Sequence, residues 1–280
     1  MKKSAFFYCY LKHFKTLFIS LLLIIFGFVT KVYAQDVSHI LTVKKKIYSA
    51  NDIVNIKDSL VVPYVYTNVI SLNHLPVPEK KQKFFDMLLP SVLVAKTHLD
   101  LTRKQVQKLA GKQVLTPSDS AFLRPLLRKY KTNNIYDLIK RLQTFPVSIT
   151  LAQAAIESGW GSSRFFLQGN NIFGMWSFNP SESRMAASSH RNGTKIYLQK
   201  FSDLQKSIAA YYVMLDTRQI FAPFRAMRTK TDNPLVIIDS LKKYSERGNA
   251  YVNDLAQLIR VNHLQRYDSY KIAPGYFKNR

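Results

Sequence analysis

Pro146-Val147-Ser148-Ile149-Thr150-Leu151-Ala152-Gln153-Ala154-Ala155-Ile156-Glu157-Ser158-Gly159-Trp160-Gly161 is the stretch on which the reading of this chain turns. Phe145-Pro146 breaks what precedes it, and Ser148 is a good N-cap. Ile149, Ala152, Ala155 and Ile156 then recur at helical spacing, and Gly159 suits the left-handed residue at which a helix stops. The pattern predicts a short buried helix with Glu157 in its last turn. A carboxylate there faces the negative end of the helix dipole, which raises its pKa. Trp160 and the apolar neighbours would desolvate it and raise it further. A carboxyl kept protonated near neutral pH is what a general acid needs to protonate a glycosidic oxygen. A solvated glutamate near a helix end is the competing reading of the same residues.

Working outward, the flanking chain is mostly helical in pattern. Pro78 suits a first helical position, and Phe84, Phe85, Leu88 and Leu89 fall on one face. Pro90 is expected to end or kink that helix, with a second stretch running toward Leu109. Further helices are expected from near Ser118, after Asn133 or Asn134, from Ser202 (a capping box with Gln205), from Asn233-Pro234 through Leu241, and over about Tyr251 to Leu264. Asn192-Gly193 is a strong hairpin turn signal, and the alternation from Lys195 to Phe201 predicts a small β-hairpin. Residues 35–76 read as a poorly periodic lead-in, where Pro63 weakens the strand signal of Val61 to Tyr66. The fold class is mainly α with a small β-hairpin lobe.

The N-terminus reads as a signal peptide over residues 1–34. Lys2, Lys3, Lys12 and Lys15 form a basic region, Leu17 to Val29 is a short apolar run, and Val32-Tyr33-Ala34 offers a cleavage site after Ala34. Retention as an uncleaved anchor is the alternative. The lone Cys9 would leave with the leader, so no disulfide is expected in the mature chain. The 280 residues carry a formal charge of +24; the leader holds five of those charges and no acid, leaving +19. A cytosolic protein this basic would point to nucleic acid. Export redirects the expectation to anionic envelope surfaces, with no nucleic-acid partner and no membrane span after cleavage. The chain has no His-Glu-x-x-His motif, no cysteine pair, no Gly-x-Ser-x-Gly elbow and no phosphate-cradling glycine loop, so no metal or organic cofactor is expected.

Gln153 to Gly161, followed by Gly169-Asn170-Asn171-Ile172-Phe173-Gly174, resembles the signature of the glucosaminidase family, glycoside hydrolase family 73. Leu88-Leu89-Pro90-Ser91-Val92-Leu93 and Tyr244-Ser245-Glu246-Arg247-Gly248-Asn249-Ala250-Tyr251 resemble its Bax-like branch. The resemblance covers about residues 76–264, within a domain drawn as 77–280. It implies a lysozyme-like helical fold and cleavage of β-1,4 bonds in peptidoglycan glycan strands, with Glu157 as the acid; the expected leader places this in the periplasm, envelope or extracellular space. An endo-β-N-acetylglucosaminidase is the expected type. A muramidase, a lytic transglycosylase or a non-catalytic wall-binding module are the alternatives.

Some family members carry a second glutamate just before the Asn-Gly turn. Here Ala187-Ser188-Ser189-His190-Arg191 holds no acid, and Glu182 is the nearest. If the substrate's own N-acetyl group attacks the anomeric carbon, one protein carboxylate is enough. The family's acetamide-orienting tyrosine then matches Tyr244 by motif position, with a core tyrosine as the other reading. Phe173, Trp176 and Phe178 are expected to stack on sugar faces, although core packing suits Phe173 equally. Asn170 and Asn171 are expected either to bind sugar groups or to hold their own loop. Gln153, Trp160 and Tyr251, within the matching segments, complete the expected substrate contacts.

Overall fold

The computed structural model describes residues 39–191 and 194–278. The expected leader and its cleavage site lie outside the described residues, as does the Asn192-Gly193 turn. The architecture is mainly α with a small hairpin lobe, as the sequence predicts. Helix α1 (Val77–Ala110) is the longest element, followed by α2 (Pro117–Lys129), α3 (Ile135–Arg141), α4 (Val147–Glu157) and α5 (Arg164–Gly169). Then come α6 (Leu204–Thr217), α7 (Ala222–Met227), α8 (Pro234–Ile237) and α9 (Asn249–Val261). Among the described residues no helix is long and apolar enough to cross a membrane.

Pro90 neither ends nor divides α1, which runs unbroken through it. Every residue from Phe84 to Ala95 is buried. A proline inside a helix costs about 3 kcal/mol, while each large apolar side chain buried contributes about 1.5–3 kcal/mol. Burial along this segment therefore outweighs the lost backbone bond. The C-terminal half of α1 forms a second, smaller cluster with α2 and α3, through Val106, Leu109, Leu123, Leu138 and Leu142.

Helix α4 is buried from Val147 to Ala155 and packs against α1, α9 and the 3-10 turn Leu264–Ser269. Ser148 is not its N-cap, because the helix already starts at Val147. Asp268 serves the helix start from outside: it accepts from the Ser148 backbone N–H at 2.7 Å and from Ser148 Oγ at 2.9 Å. The cap of α6 is likewise Asp203 rather than Ser202, its carboxylate accepting from the Lys206 N–H at 2.8 Å. Asp203 is one position closer to the apolar run, and its carboxylate complements the helix dipole better than a hydroxyl.

The lead-in wraps the helical body as short strands. β1 (His39–Ile40) pairs antiparallel with the C-terminal β8 (Phe277–Lys278), and β3 (Leu60–Val61) pairs parallel with β7 (Lys271–Ile272). β2 (Val43–Lys45) runs parallel to β4 (Tyr64–Tyr66), and Pro63 falls in the gap between β3 and β4. Ile47, Ile53, Tyr66 and Leu72 from this segment join the main core. The hairpin is β5 (Arg184–Arg191) and β6 (Thr194–Gln199), antiparallel from Arg184↔Gln199 to Arg191↔Thr194 with an irregularity between Ala186 and His190.

Candidate active site

Glu157 is the last residue of α4 and is half-buried. Gln153 lies one turn earlier on the same face. The Tyr251 hydroxyl, from α9, donates to Glu157 Oε1 at 2.8 Å. Gln153 Nε2 donates to the Tyr251 oxygen at 2.9 Å, and the Tyr211 hydroxyl, from α6, donates to Gln153 Oε1. Three helices thus meet through one hydrogen-bonded line that ends on the carboxyl. Burial raises the Glu157 pKa, opposed by the bond from Tyr251. Burial also keeps Tyr211, Tyr244 and Tyr251 in the phenol form, well above the usual tyrosine value. Each can therefore donate a hydrogen bond over the whole working pH range.

Glu157 opens on a cleft of about 480 Å³, lined by Phe173 to Trp176 and Phe178 on the hairpin side and by Met214, Arg218, Phe221 and Tyr244 opposite. Tyr244 lies in the turn beyond the 3-10 segment Ile238–Leu241 rather than at a helix end, with its N–H donating to Leu241 O at 2.8 Å. Its ring stacks on Tyr251 (centroids 5.5 Å apart, planes 7° apart), which fixes it beside the carboxyl's own donor. Phe173 stacks on Tyr211 at 3.9 Å and 12°, so it serves both as core and as cleft wall. Trp176 and Phe178 stand out from the surface at 38% and 75% exposure. Their rings lie 6.0 Å apart along one side of the cleft.

Several expected substrate contacts are placed otherwise. Gln153 and Tyr251 are buried behind Glu157, with their polar atoms engaged with each other and the carboxyl. Asn170 is the left-handed C-cap of α5, and its amide donates to Thr67 O and Phe201 O. Asn171 is 1% exposed; its amide donates to Met175 O and Gln199 O, and its oxygen accepts from the Met175 N–H. Asn171 ties the loop to the hairpin, and Asn170 ties it to the lead-in and to Phe201 beyond the hairpin; holding the loop was one of their two expected uses. Trp160 does not line the cleft. It packs against Phe84 and Phe85 of α1, at 5.7 and 5.4 Å, with Lys81 Nζ 5.0 Å from its ring centre. Burial raises the Glu157 pKa, and Trp160 is not among the residues of the cleft wall.

The Gly-Trp-Gly segment instead has a backbone reason. Residues 159–161 all have positive φ, and a Cβ on Gly161 would sit 3.2 Å from Phe166 and 3.3 Å from Phe84. Glu182 lies in the bend before β5, where its Oε2 accepts from Ser177 Oγ at 2.9 Å and Gln199 Nε2 at 3.0 Å. It is not among the residues lining the cleft. Met175, Met214, Arg218 and Phe221 were not expected there. They come from elements whose sequences show only ordinary helical or loop patterns, and only folding brings them together. Arg218 is the one cation among the described residues of the cleft wall, and its charge partly offsets the effect of burial on Tyr244.

Residues 132–264 match the Glucosaminidase family, described as mannosyl-glycoprotein endo-beta-N-acetylglucosaminidase. The chain is 26% identical over 197 residues to Protein bax of Escherichia coli (strain K12), covering 65% of this chain and 70% of that protein. Similar solved structures include the catalytic domain of the autolysin Auto from Listeria monocytogenes, with 19% identity over 59% of this chain and 96% of that one, at a TM-score of 0.39. The glycoside hydrolase domain of FlgJ from Salmonella typhimurium aligns at 19% identity over 50% of this chain and 96% of that one, with a TM-score of 0.34. A glucosaminidase-family domain therefore occupies residues 132–264, in a chain similar to the Bax protein.

Proposed function

We propose that this protein is an exported peptidoglycan hydrolase that cleaves β-1,4 glycosidic bonds as an endo-β-N-acetylglucosaminidase, with Glu157 as general acid. The observation that carries the reading is the half-buried Glu157 carboxyl, held by Tyr251 and open to a cleft with aromatic walls, inside a glucosaminidase-family domain. The protonated carboxyl gives its proton to the glycosidic oxygen as the bond to the anomeric carbon breaks. The substrate's acetamide oxygen closes on that carbon from the other face. Water then opens the cyclic intermediate and returns a proton to Glu157.

Tyr244 is assigned to hold the acetamide. It shares the cleft with Glu157, whereas Glu182 has its carboxylate engaged with Ser177 and Gln199 outside the cleft lining. Phe173, Trp176 and Phe178 supply the stacking surfaces.

The test is digestion of purified peptidoglycan by the wild type and Glu157→Gln, with the released fragments identified by mass spectrometry. Glu157→Gln is expected to lose about 10²–10⁴-fold in rate. Activity within tenfold of wild type overturns the acid assignment. Fragments with N-acetylglucosamine at the reducing end are expected. Reducing N-acetylmuramic acid would make the enzyme a muramidase, and anhydro ends would make it a lytic transglycosylase.

A further inference from the structure

Arg218 has no part in the proposed reaction, yet it stands in the cleft. It follows the last residue of α6, and its backbone is tied on both sides. The N–H donates to Met214 O at 3.1 Å, and the carbonyl accepts from Arg225 Nη1 at 2.8 Å and from the Phe221 N–H at 3.1 Å. Met214, four residues earlier, Arg218 itself and Phe221, three residues later, form one strip of the cleft wall. The Arg218 side chain is exposed and has no hydrogen bond or ion pair with another described residue.

The charge has a definite place along the cleft. Its guanidinium acts on Tyr244, where it opposes the effect of burial, whereas burial and the Tyr251 bond account for the Glu157 shift. The cation therefore stands on the Tyr244 side, away from the carboxyl whose proton it would otherwise loosen. Glu157 is the only acid among the described lining residues. With Glu157 protonated, the wall carries one positive charge and no negative charge to match it. A neutral glycan laid in the cleft would take water from the guanidinium and return no counter-charge, which is costly. An anionic glycan supplies that counter-charge. The planar guanidinium matches a carboxylate in particular, with two N–H donors to two oxygens.

We propose that Arg218 is a specificity-determining residue that pairs with a carboxylate carried by the glycan strand, so that the cleft selects an anionic glycan over a neutral one. The inference rests on the proposed cleavage of peptidoglycan and names the feature of that substrate which the cleft recognises. In such a strand every second sugar bears a lactyl group. That group ends in a free carboxylate when bare, and in a peptide stem with carboxylates of its own when substituted. Either source presents the same chemistry to Arg218.

Soluble peptidoglycan fragments are compared in three forms: with peptide stems, with stems removed to leave lactyl carboxylates, and with stems whose carboxylates are converted to neutral amides. Dissociation constants are measured by calorimetry on the full chain carrying Glu157→Gln, which prevents turnover, alone and combined with Arg218→Gln, Arg218→Lys or Arg124→Gln. The Glu157→Gln chain should bind at least one carboxylate-bearing form about tenfold more tightly than the amidated form, as for one charge-assisted pair. The form that shows the preference identifies the source of the carboxylate. Arg218→Gln should bring the ratio within about twofold of unity, and Arg218→Lys should lower it about threefold, keeping the charge without the fork. Arg124 is exposed on α2 and is not part of the cleft wall. Arg124→Gln removes the same charge elsewhere and should keep the full ratio, which separates pairing in the cleft from the general attraction of a basic protein for anions.

Equal binding of all three forms, a preference that survives Arg218→Gln, or one that Arg124→Gln lowers as much, overturns the proposal. Should Arg218→Gln fail to fold, an unchanged ratio in Arg218→Lys overturns it instead. Wild-type hydrolysis of the same fragments is followed in parallel. Hydrolysis without a preference defeats the role of Arg218 alone. A preference that Arg218→Gln removes, without hydrolysis, defeats the catalytic reading alone, and a cleft that binds none of the three forms defeats both.

Discussion

Glu157 depends on a residue far from it in the chain. Tyr251 donates to the ionised carboxyl, the form that the proposed acid catalysis does not use, so it opposes the rise that burial imposes. Removing the hydroxyl leaves burial unopposed, and the Glu157 pKa rises further. A general acid works only while protonated, so the alkaline limb of the rate profile should move to higher pH in Tyr251→Phe. Because the carboxyl also loses its anchor, kcat should fall by up to about 10²-fold. A pH profile of kcat on soluble glycan checks both, and a limb that stays in place or moves to lower pH contradicts the assignment. For the second group, Tyr244→Phe should cost about 10²-fold or more, the loss of one hydrogen bond made in the transition state. Glu182→Gln should cost less, because that side chain is bound into the hairpin base. Rates of both on one peptidoglycan preparation, with circular dichroism to check folding, decide the order. At this scale the sequence was legible where the signal is local. The apolar stripe ending at Gly159 placed Glu157 at a helix end. The Tyr251 and Tyr211 contacts join α4 to helices far along the chain, and no local pattern encodes which helix faces will meet. Asn170 and Asn171 illustrate the same limit: their amides bond backbone carbonyls in Thr67, Gln199 and Phe201, none of them sequence neighbours.

Among the elements, helix existence was well predicted and helix starts less so, because capping is often completed from outside. Asn134 and Asn233 cap α3 and α8 from within the local sequence, and both were legible. Asp268 serving the start of α4 was not. The junction of α3, α6 and α7 has a similar non-local lock. Arg228 Nη2 donates to Asp216 Oδ1 at 2.7 Å and to the Arg141 carbonyl at 2.8 Å, while Arg141 Nη1 donates to the Asp216 carbonyl at 2.8 Å. Both charged side chains are 1% exposed, and burial pushes the Asp216 pKa up despite its partner. Removing one charge strands the other, so Arg228→Met should lower unfolding free energy by about 3–5 kcal/mol at neutral pH. Replacing both, as Asp216→Leu with Arg228→Met, should recover at least half of that loss, since paired buried charges are often no better than apolar residues of similar volume. An Asp216 left alone is driven toward its neutral form. The folded state then holds a proton that the unfolded chain has released, so the single variant should lose stability as pH rises from 5 to 7. Urea unfolding at the two pH values measures this, and a double variant weaker than the single one would show that the pair is itself stabilising.

The whole molecule does not divide where the family match divides it. Residues 132–264 contain the carboxyl, the cleft and the hydrogen-bonded line behind Glu157. They contain only part of the core that supports them. Helix α1 lies against α4 and α6, and its Phe84, Phe85, Leu88 and Val92 belong to the same apolar cluster as Leu151, Ile208 and Tyr251. The lead-in adds Ile47, Ile53, Tyr66 and Leu72 to that cluster, and its strands pair with β7 and β8 beyond residue 264. Each such side chain contributes about 1.5–3 kcal/mol when buried, against a net stability of about 5–15 kcal/mol for a whole domain. Losing even the four lead-in residues would consume most of that margin. A chain beginning at residue 35 should therefore unfold cooperatively with full stability. One beginning at residue 77 should be destabilised by at least about 5 kcal/mol or fail to accumulate as soluble protein. One restricted to 132–264 should show no cooperative transition and no activity. Thermal and urea unfolding of the three chains, followed by circular dichroism, measures this directly. If the 132–264 chain melts cooperatively and digests peptidoglycan, the lead-in and α1 are additions to an independent domain. If it does not, the Glu157 carboxyl is held in place by chain that the family signature does not include.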